Sequence, residues 1–213
     1  MKKIILCLCF GLLTASLSAQ NGKTIVLNQP DTNRGLTMMK AFAQRSSQAK
    51  FDTINLKLQD LSDLLWAANG LNRVELGKRT APSAMNAQDV DVYVAMKAGI
   101  YLYDAKKHQL DLVAAGDHRL PVAGKQENYA VAPVFCIMVS DISRFKVGSD
   151  SLKLQWAAFD AGIVSQNIAL FCAGTGLATH PRITMDLKKL REILKLKDTQ
   201  YLMINNLVAY KKD

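Results

Sequence analysis

The sequence predicts an α+β domain, in which helices are combined with mostly antiparallel strands. Apolar residues recur at helical spacing between Leu58 and Ala68, whereas residues 90–96 alternate as a half-buried strand does. Two further strands flank residues 104–108 and are predicted to form a hairpin. A long helical segment and a terminal strand complete the pattern, and this mixture of helices and antiparallel strands is typical of the α+β class.

Residues 1–19 have the layout of a secretory signal peptide. Lys2 and Lys3 precede an apolar run over residues 4–13, which is too short to span a bilayer comfortably, and small residues follow up to Ala19. A buried N-terminal helix is the alternative. We expect cleavage near Gln20, which leaves a single domain of residues 20–213. We expect this domain to be exported, to be periplasmic and to have no stable membrane anchor.

Two helices are predicted before the first strand. Residues 37–48 have helical composition, and the Leu58–Ala68 pattern ends at Gly70, where a C-terminal cap is expected. Residues 72–88 are polar and irregular. The remaining predicted elements are strands at 90–96, 100–103, 110–113, 131–139 and 201–210, and helices at 152–173 and 186–196.

Composition and charge exclude several classes of function. The chain has a formal net charge of +9, of which Lys2 and Lys3 leave with the signal peptide, and its basic residues are scattered rather than arranged in a stripe. Without a recognised binding module, this charge does not favour nucleic acid. The three histidines are far apart, so no metal site is expected. Cys136 and Cys172 lie in apolar runs and are either buried thiols or a disulfide.

The first candidate site is Arg45-Ser46-Ser47, at the end of the predicted helix. A guanidinium beside two hydroxyls and free backbone N–H groups suits a phosphate, because the guanidinium makes charge-assisted, paired hydrogen bonds. The alternative is a solvated helix end, where these residue types are common.

The second candidate is the irregular segment from Arg79 to Gln88. Pro82 stiffens it, Ser83 and Asn86 offer polar groups to a ring or a ribityl chain, and Ala84 allows a flat ring to approach. An ordinary turn is the alternative, since proline, serine and asparagine are common in turns.

The third candidate follows the long predicted helix, where Gly174 and Gly176 expose backbone groups. Glycine also ends helices for capping reasons alone. The pair does not follow a strand and open a helix, so it is not a dinucleotide-binding fingerprint.

In this order and spacing, the segments resemble the nitroreductase family of FMN-dependent oxidoreductases. The resemblance runs from about Arg45 to the C-terminus and includes Leu-Leu-Trp-Ala-Ala-Asn-Gly at residues 64–70 and Arg-Thr-Ala-Pro-Ser-Ala at residues 79–84. An Asp-x-Gly, Gln-Asn and Gly-x-Gly-Leu series over residues 160–177 completes it. The 66–70 and 79–84 pieces are similar to the SagB-like thiazole/oxazole-oxidase branch, although residues 85–88 differ from the Gly and Tyr-Pro usual there.

The resemblance implies a mostly antiparallel sheet flanked by helices, an intertwined homodimer and FMN at its interface. It implies that Arg45, Ser46, Ser47 and Lys211 or Lys212 hold the phosphate. Pro82, Ser83, Ala84 and Asn86 would reach the flavin from the partner subunit, and the Gly176, Leu177 and Thr179 segment would lie beside the ring.

The function implied is hydride or electron transfer by a ping-pong cycle. A small-molecule donor, either NAD(P)H or the substrate itself, would reduce FMN, and an organic acceptor such as a nitro or quinone compound would reoxidise it. No side chain is identified as a catalytic nucleophile or base, and His180 is either near the ring or a plain loop histidine. The alternatives are a non-catalytic protein that stores or senses FMN, and a binding module for another anion.

Overall fold

The computed structural model describes residues 24–212, so the predicted signal peptide lies outside the described residues. The five helices are α1 (Met38–Gln44), α2 (Leu58–Asn69), α3 (Arg119–Ala123), α4 (Asp150–Thr175) and α5 (Leu187–Leu194). The nine strands are β1 (Thr24–Val26), β2 (Leu71–Arg73), β3 (Lys78–Arg79), β4 (Val90–Met96), β5 (Gly99–Asp104), β6 (Gln109–Ala115), β7 (Val134–Asp141), β8 (Leu177–Arg182) and β9 (Gln200–Tyr210).

Seven strands form one sheet in the order β1-β6-β5-β4-β7-β9-β8, and every neighbouring pair is antiparallel. The two short strands β2 and β3 pair separately. The predicted α+β class with its antiparallel sheet and flanking helices is therefore confirmed.

The central strand β7 shows how the sheet is covered, because all eight of its residues are buried. Successive side chains point to opposite faces of a strand. Cys136 and Met138 pack into a core with α2 and α4, whereas Phe135 and Ile137 pack into a second core with α3 and α5. The continuous apolar run of β7 is thus explained by a helical layer on each side of the sheet.

Helix α4 has 26 residues and, at 1.5 Å per residue, is about 39 Å long. The Ser149 hydroxyl accepts a hydrogen bond from the Leu152 N–H at 3.4 Å, and Gly176 ends the helix in the left-handed conformation with φ 77°. By length and composition α4 could cross a membrane, but half of its most apolar window is buried inside the protein.

Several boundaries differ from the sequence prediction. Helix α1 stops at Gln44, and Arg45 is extended with φ −60° and ψ 121°. Gly70 ends α2 as predicted, but in an extended rather than left-handed conformation. The strand predicted from residue 131 begins at Val134, since Val131 is exposed. The segment predicted as irregular contains the β2–β3 hairpin.

Besides this hairpin, the sequence did not predict β1, α3 and β8. Strand β8 contains Pro181, which cannot donate to a ladder and is tolerated only at a sheet edge, and β8 is an edge strand of the sheet. Cys136 and Cys172 are free thiols buried in the core, so the buried-thiol alternative is correct and the disulfide between them is not present. Burial raises the pKa of Cys136 to about 12.

Candidate functional site

The Arg45-Ser46-Ser47 segment leaves α1 as exposed, extended chain. Its polar side chains have few bonding partners in the described structure. Within residues 24–212 the Arg45 guanidinium forms no ion pair, and the Ser46 hydroxyl accepts a hydrogen bond from the Gln48 Nε2 at 2.7 Å. The segment therefore presents an exposed guanidinium beside two hydroxyls, and its role as a phosphate site stays a prediction.

The same segment continues onto the edge of the sheet. The Gln48 N–H donates to the Thr179 carbonyl of β8 at 2.9 Å, and the Asp52 N–H donates to the Tyr210 carbonyl of β9 at 2.9 Å. Phe51 pairs with Lys211 in an isolated bridge. Three segments that are far apart in sequence, namely Arg45–Ser47, the end of α4 with β8, and Lys211, are therefore neighbours.

Thr179 offers its backbone, and not its hydroxyl, to this edge. The side chain is buried on the α4 side, where its Oγ1 donates to the Leu207 carbonyl at 2.8 Å. Because the Thr179 carbonyl points away from β9 toward Gln48, the N–H of the same residue also points to the open edge. A ligand beside this edge would meet a backbone donor.

Gly176 and Leu177 form the turn from α4 into β8. Gly176 is exposed, and its positive φ of 77° is a conformation that glycine adopts without a Cβ penalty. Leu177 is buried in the core that α4 covers, so only its backbone faces outward. The predicted role of this segment beside a flat ring is therefore a backbone role.

The Pro82–Asn86 loop lies elsewhere, against the middle of α4. The Ala84 N–H donates to both carboxylate oxygens of Asp160 at 3.1 and 2.9 Å, and the Ser83 hydroxyl accepts from the Gln88 N–H at 2.8 Å. Pro82 and Asn86 are exposed. Met85, Asn86 and Gln88 all have positive φ, at 52°, 55° and 49°. Such conformations cost non-glycine residues energy and are frequent at functional sites.

Within one chain the two halves of the predicted site do not meet. Asp160, which holds the Pro82–Asn86 loop, and Gly176, beside the Arg45 segment, are separated by 16 positions of α4 and its cap. At 1.5 Å per residue this is about 24 Å. The loop and the Arg45 segment could contact one ligand only if a second copy supplied one of them.

A cavity of about 300 Å³ lies between α1, α2 and the C-terminal half of α4. Its walls include Arg34, Trp66, Asn167 and Phe171, and the Arg34 guanidinium lies 5.7 Å from the centre of the Phe171 ring. The sequence reasoning missed Arg34, because no local motif surrounds it.

Arg34 is fixed by two carboxylates of α2. Its nitrogens lie 2.7 Å from Asp60 and 2.6 Å from Asp63, and the Tyr210 hydroxyl donates to Asp60 at 2.5 Å. Burial alone would raise the pKa of Asp60, but the hydrogen bonds from Tyr210 and Arg34 hold it below its usual value. This network joins the chain before α1, the start of α2 and the end of β9.

His180 lies on β8 and faces the α3 and α5 side of the sheet. Its ring is 5.5 Å from that of Tyr129 in an edge contact, and Arg182 lies 4.9 Å over the same Tyr129 ring. The structure thus places His180 in an aromatic cluster beneath the sheet rather than among the outward backbone groups of β8. Among residues 24–212, no group of three or more metal-ligating side chains occurs.

Comparison with known proteins identifies the fold and the family. A sequence profile of the nitroreductase family matches residues 42–207. A proposed nitroreductase of Methanocaldococcus jannaschii is 27% identical over 192 residues, which are 86% of this chain and 96% of that one. The crystal structure of a proposed nitroreductase from Ralstonia eutropha has a TM-score of 0.83 and 31% identity, covering 91% of this chain and 92% of that chain.

A chain of the E. coli microcin synthetase McbBCD has the same fold, with a TM-score of 0.71, 14% identity and coverage of 100% of this chain and 85% of that chain. The antiparallel sheet between two helical layers, crossed on one face by α4, is the nitroreductase fold. The chain belongs to the nitroreductase family, whose members are generally flavin-dependent oxidoreductases.

Proposed function

We propose that this protein is an FMN-dependent oxidoreductase that works as a homodimer with FMN at the subunit interface. The observation that carries the proposal is the placement of the predicted binding residues. Arg45–Ser47, Thr179 and Lys211 share one edge, whereas the Pro82–Asn86 loop lies about 24 Å away along α4. The edge of one copy and the Pro82–Asn86 loop of a second copy would together form a complete FMN site.

The phosphate of FMN would bind at the Arg45 end of this edge. Arg45, Ser46 and Ser47 are exposed, and Lys211 adds a second cation beside Phe51. A guanidinium gives paired, charge-assisted hydrogen bonds to phosphate oxygens, which the hydroxyls supplement. The residues present therefore fit the anionic end of the cofactor.

The flavin ring would lie along the turn from Gly176 to Thr179. The outward N–H of Thr179 provides a backbone donor, and exposed Gly176 leaves the approach open, since no side chain covers it. On the other side, Ser83 and Asn86 of the partner copy would supply polar contacts, and Ala84 would allow close approach of the ring.

Exposed apolar side chains support a subunit interface. Met39 and Phe42 on α1 are 77% and 53% exposed, and Phe159 in the middle of α4 is 68% exposed. Large apolar side chains concentrated on neighbouring helices are typical of surfaces that another chain covers. A second copy related by a twofold axis would bury them and bring edge and loop together.

When bound, FMN supplies hydride or electron transfer, and the protein supplies position and local electrostatics. The chain contributes the residues that bind the phosphate and the Thr179 N–H that donates a hydrogen bond. It also contributes a surface on which the electron donor and the electron acceptor bind in turn. The donor is NAD(P)H or a substrate that gives hydride itself, and the acceptor is a small organic molecule such as a nitro or quinone compound. No side chain of the edge or loop has the arrangement of a nucleophile with its base.

We further propose, from the sequence pieces at residues 66–70 and 79–84, that the chain belongs to the SagB-like branch. We also propose that the mature domain works outside the cytoplasm, on the basis of the signal-peptide layout of residues 1–19.

The experiment that tests the function is an absorbance spectrum of the purified domain after incubation with FMN and gel filtration. We expect flavin bands that remain with the protein and disappear when a donor is added anaerobically. Repeated reoxidation by a nitro or quinone acceptor would demonstrate turnover, whereas a single stoichiometric reduction would indicate an FMN-storing or FMN-sensing protein. A colourless protein under all conditions would overturn FMN binding.

A further inference from the structure

Two buried carboxyl groups, those of Asp89 and Asp160, lie where the Pro82–Asn86 loop meets the sheet and α4. Asp89, directly before β4, has none of its surface exposed, and Asp160 on α4 is 4% exposed. Asp89 uses one oxygen to accept a hydrogen bond from the Ser140 hydroxyl, and its Oδ1 has no partner of its own in the described structure. Buried polar atoms without partners are rare, so this oxygen requires an explanation.

A proton on Asp89 provides that explanation. Asp160 is within hydrogen-bonding reach of Asp89, and two carboxylates in contact cannot both remain charged away from water. Burial, together with the adjacent Asp160, raises the pKa of Asp89 to about 7 despite the opposing hydrogen bond from Ser140. The Asp89 hydroxyl would then donate to the Asp160 carboxylate, which is left free to accept the Ala84 N–H.

Other charged groups nearby already have partners. Arg79 donates to the Gln88 side chain at 3.0 Å and to the Asn69 carbonyl at 2.8 Å. Arg144 binds Asp91, and Asp141 accepts from Ser143 at 2.6 Å. The adjoining cavity measures about 10 Å³, which is room for one water at most. Among the described residues, these contacts leave neither an unpaired cation nor bulk water beside the two carboxyl groups to neutralise a second negative charge.

The loop itself requires an anchor. Met85, Asn86 and Gln88 have left-handed backbone conformations that residues with a Cβ adopt at a cost, so the surroundings must hold them. The two bonds from the Ala84 N–H to Asp160 tie the first residue of this strained stretch to α4. Arg144 fixes the other end by donating to the Gln88 carbonyl at 2.8 Å.

We infer that Asp89 and Asp160 share one proton and act as a positioning pair. The pair holds the Pro82–Asn86 loop, and Gln88 just after it, in the shape that contacts FMN. This inference rests on the proposed function, because the loop is assigned to the flavin there. Loss of the shared proton would place two negative charges side by side, push Asp160 away from Ala84 and release the loop. FMN affinity should therefore fall as the pH rises through about 7.

The wild-type domain and four variants test the inference by titration with FMN from pH 5.5 to 9. Asp89→Asn keeps a neutral donor to Asp160, so we expect wild-type affinity at pH 5.5 and about tenfold tighter binding than wild type at pH 9, of the size one lost charged hydrogen bond gives. Asp160→Ala should bind roughly tenfold more weakly at low pH. Asp160→Asn keeps an acceptor for Ala84 and should restore most of that loss. Asp198→Asn, an exposed surface change, should follow the wild-type pH profile.

Thermal unfolding of the FMN-free proteins provides a second readout. Between pH 4 and 7 unfolded Asp89 has lost its proton while folded Asp89 retains it, so this group makes the wild type less stable as pH rises, with no further change above about 7. Asp89→Asn should lack that decline and be the more stable protein at pH 8. If the wild type binds FMN but Asp89→Asn shows the same pH profile and the same stability curve, the positioning pair alone is overturned. A wild type that binds no FMN at any pH overturns both this role and the proposed function.

Discussion

Gln48 and Thr179 are joined by a backbone hydrogen bond of 2.9 Å, although they are 131 positions apart in the chain (179 − 48). This bond places the Arg45 segment against the edge strand β8. It also fixes the direction of the Thr179 backbone, because the carbonyl that accepts from Gln48 cannot point toward β9. The cationic and the hydrogen-bonding parts of the proposed cofactor site are thus held together by main-chain geometry.

Replacing Arg45 by alanine should weaken FMN binding by about tenfold to a hundredfold, since a hydrogen bond to a charged group contributes about 1.5–3 kcal/mol. The fold should be unaffected, because Arg45 is exposed. Fluorescence titration of FMN measures the change. Arg73→Ala, which removes an exposed arginine from β2, is the matched control and should bind as the wild type does. Equal affinities for the two variants would show that the phosphate binds elsewhere.

Substitution of two glycines of the α4 region should have opposite effects on stability. Gly176→Ala places a Cβ on a residue with φ 77° and should lower the free energy of unfolding by about 1 kcal/mol. Gly162→Ala lies within the helix, where its Cβ meets nothing within 4 Å, and should raise it by about 0.5–1 kcal/mol. Urea denaturation measures both. Two changes of the same sign would contradict the assigned backbone conformations.

The Tyr210–Asp60 contact should make the domain sensitive to acid. The folded pKa of Asp60 is lowered, so its contribution is complete above the unfolded value of 3.8 and is lost as pH falls through the folded value. Tyr210→Phe should cost about 1–2 kcal/mol at pH 7 and less at pH 2, because the bond weakens as Asp60 takes up a proton. Unfolding followed by circular dichroism at both pH values checks this. A penalty that is independent of pH would mean that the lost hydroxyl acts only through its bond to the Lys57 N–H.

The dimer depends, by our proposal, on exposed apolar residues of α1 and α4. Phe159→Glu should convert the dimer to a monomer without unfolding it, because the side chain is 68% exposed within one chain. Light scattering measures the mass, and FMN affinity should fall with it. Val26→Glu, which alters an exposed apolar residue of β1, should remain dimeric. A wild type that is monomeric at micromolar concentration would refute the composite site.

Expression of the full chain in a bacterial host should yield a protein that begins near Gln20 in the periplasmic fraction. Mass spectrometry of the purified protein identifies the first residue. Lys2→Asp with Lys3→Asp should retain the uncleaved chain in the cytoplasm, because the basic start is needed for the signal-peptide layout. A wild-type protein that keeps Met1 would show that residues 1–19 are part of the mature chain.

The elements that the sequence predicted well are those whose burial is regular. The unbroken apolar run of β7 and the apolar repeat from Leu58 to Ala68 carry their periodicity in the residues themselves. Strand β8 was missed because its identity depends on pairing with β9, and Pro181 is a poor strand residue. The general course of the chain could therefore be predicted, but the edge of the sheet could not.

The candidate site, too, could be predicted from the sequence only in part. Arg45, Ser46, Ser47 and Lys211 were predicted from residue type and family resemblance, and the structure places their segments side by side. The left-handed residues Met85 and Gln88 have no local signal, because the loop is held by Asp160, 76 positions after Ala84. Long-range contacts of this kind cannot be derived from one stretch of sequence.

Because both thiols are completely buried, their reaction with an alkylating reagent reports how often the core opens. Neither Cys136 nor Cys172 exposes any surface, and α4 and the sheet must separate before a reagent can reach them. The rate of alkylation of the native domain therefore measures how often its main core comes apart, without any added label. Since neither thiol forms a disulfide, folding needs no oxidant or disulfide isomerase, and the domain can be produced in a reducing cytoplasm.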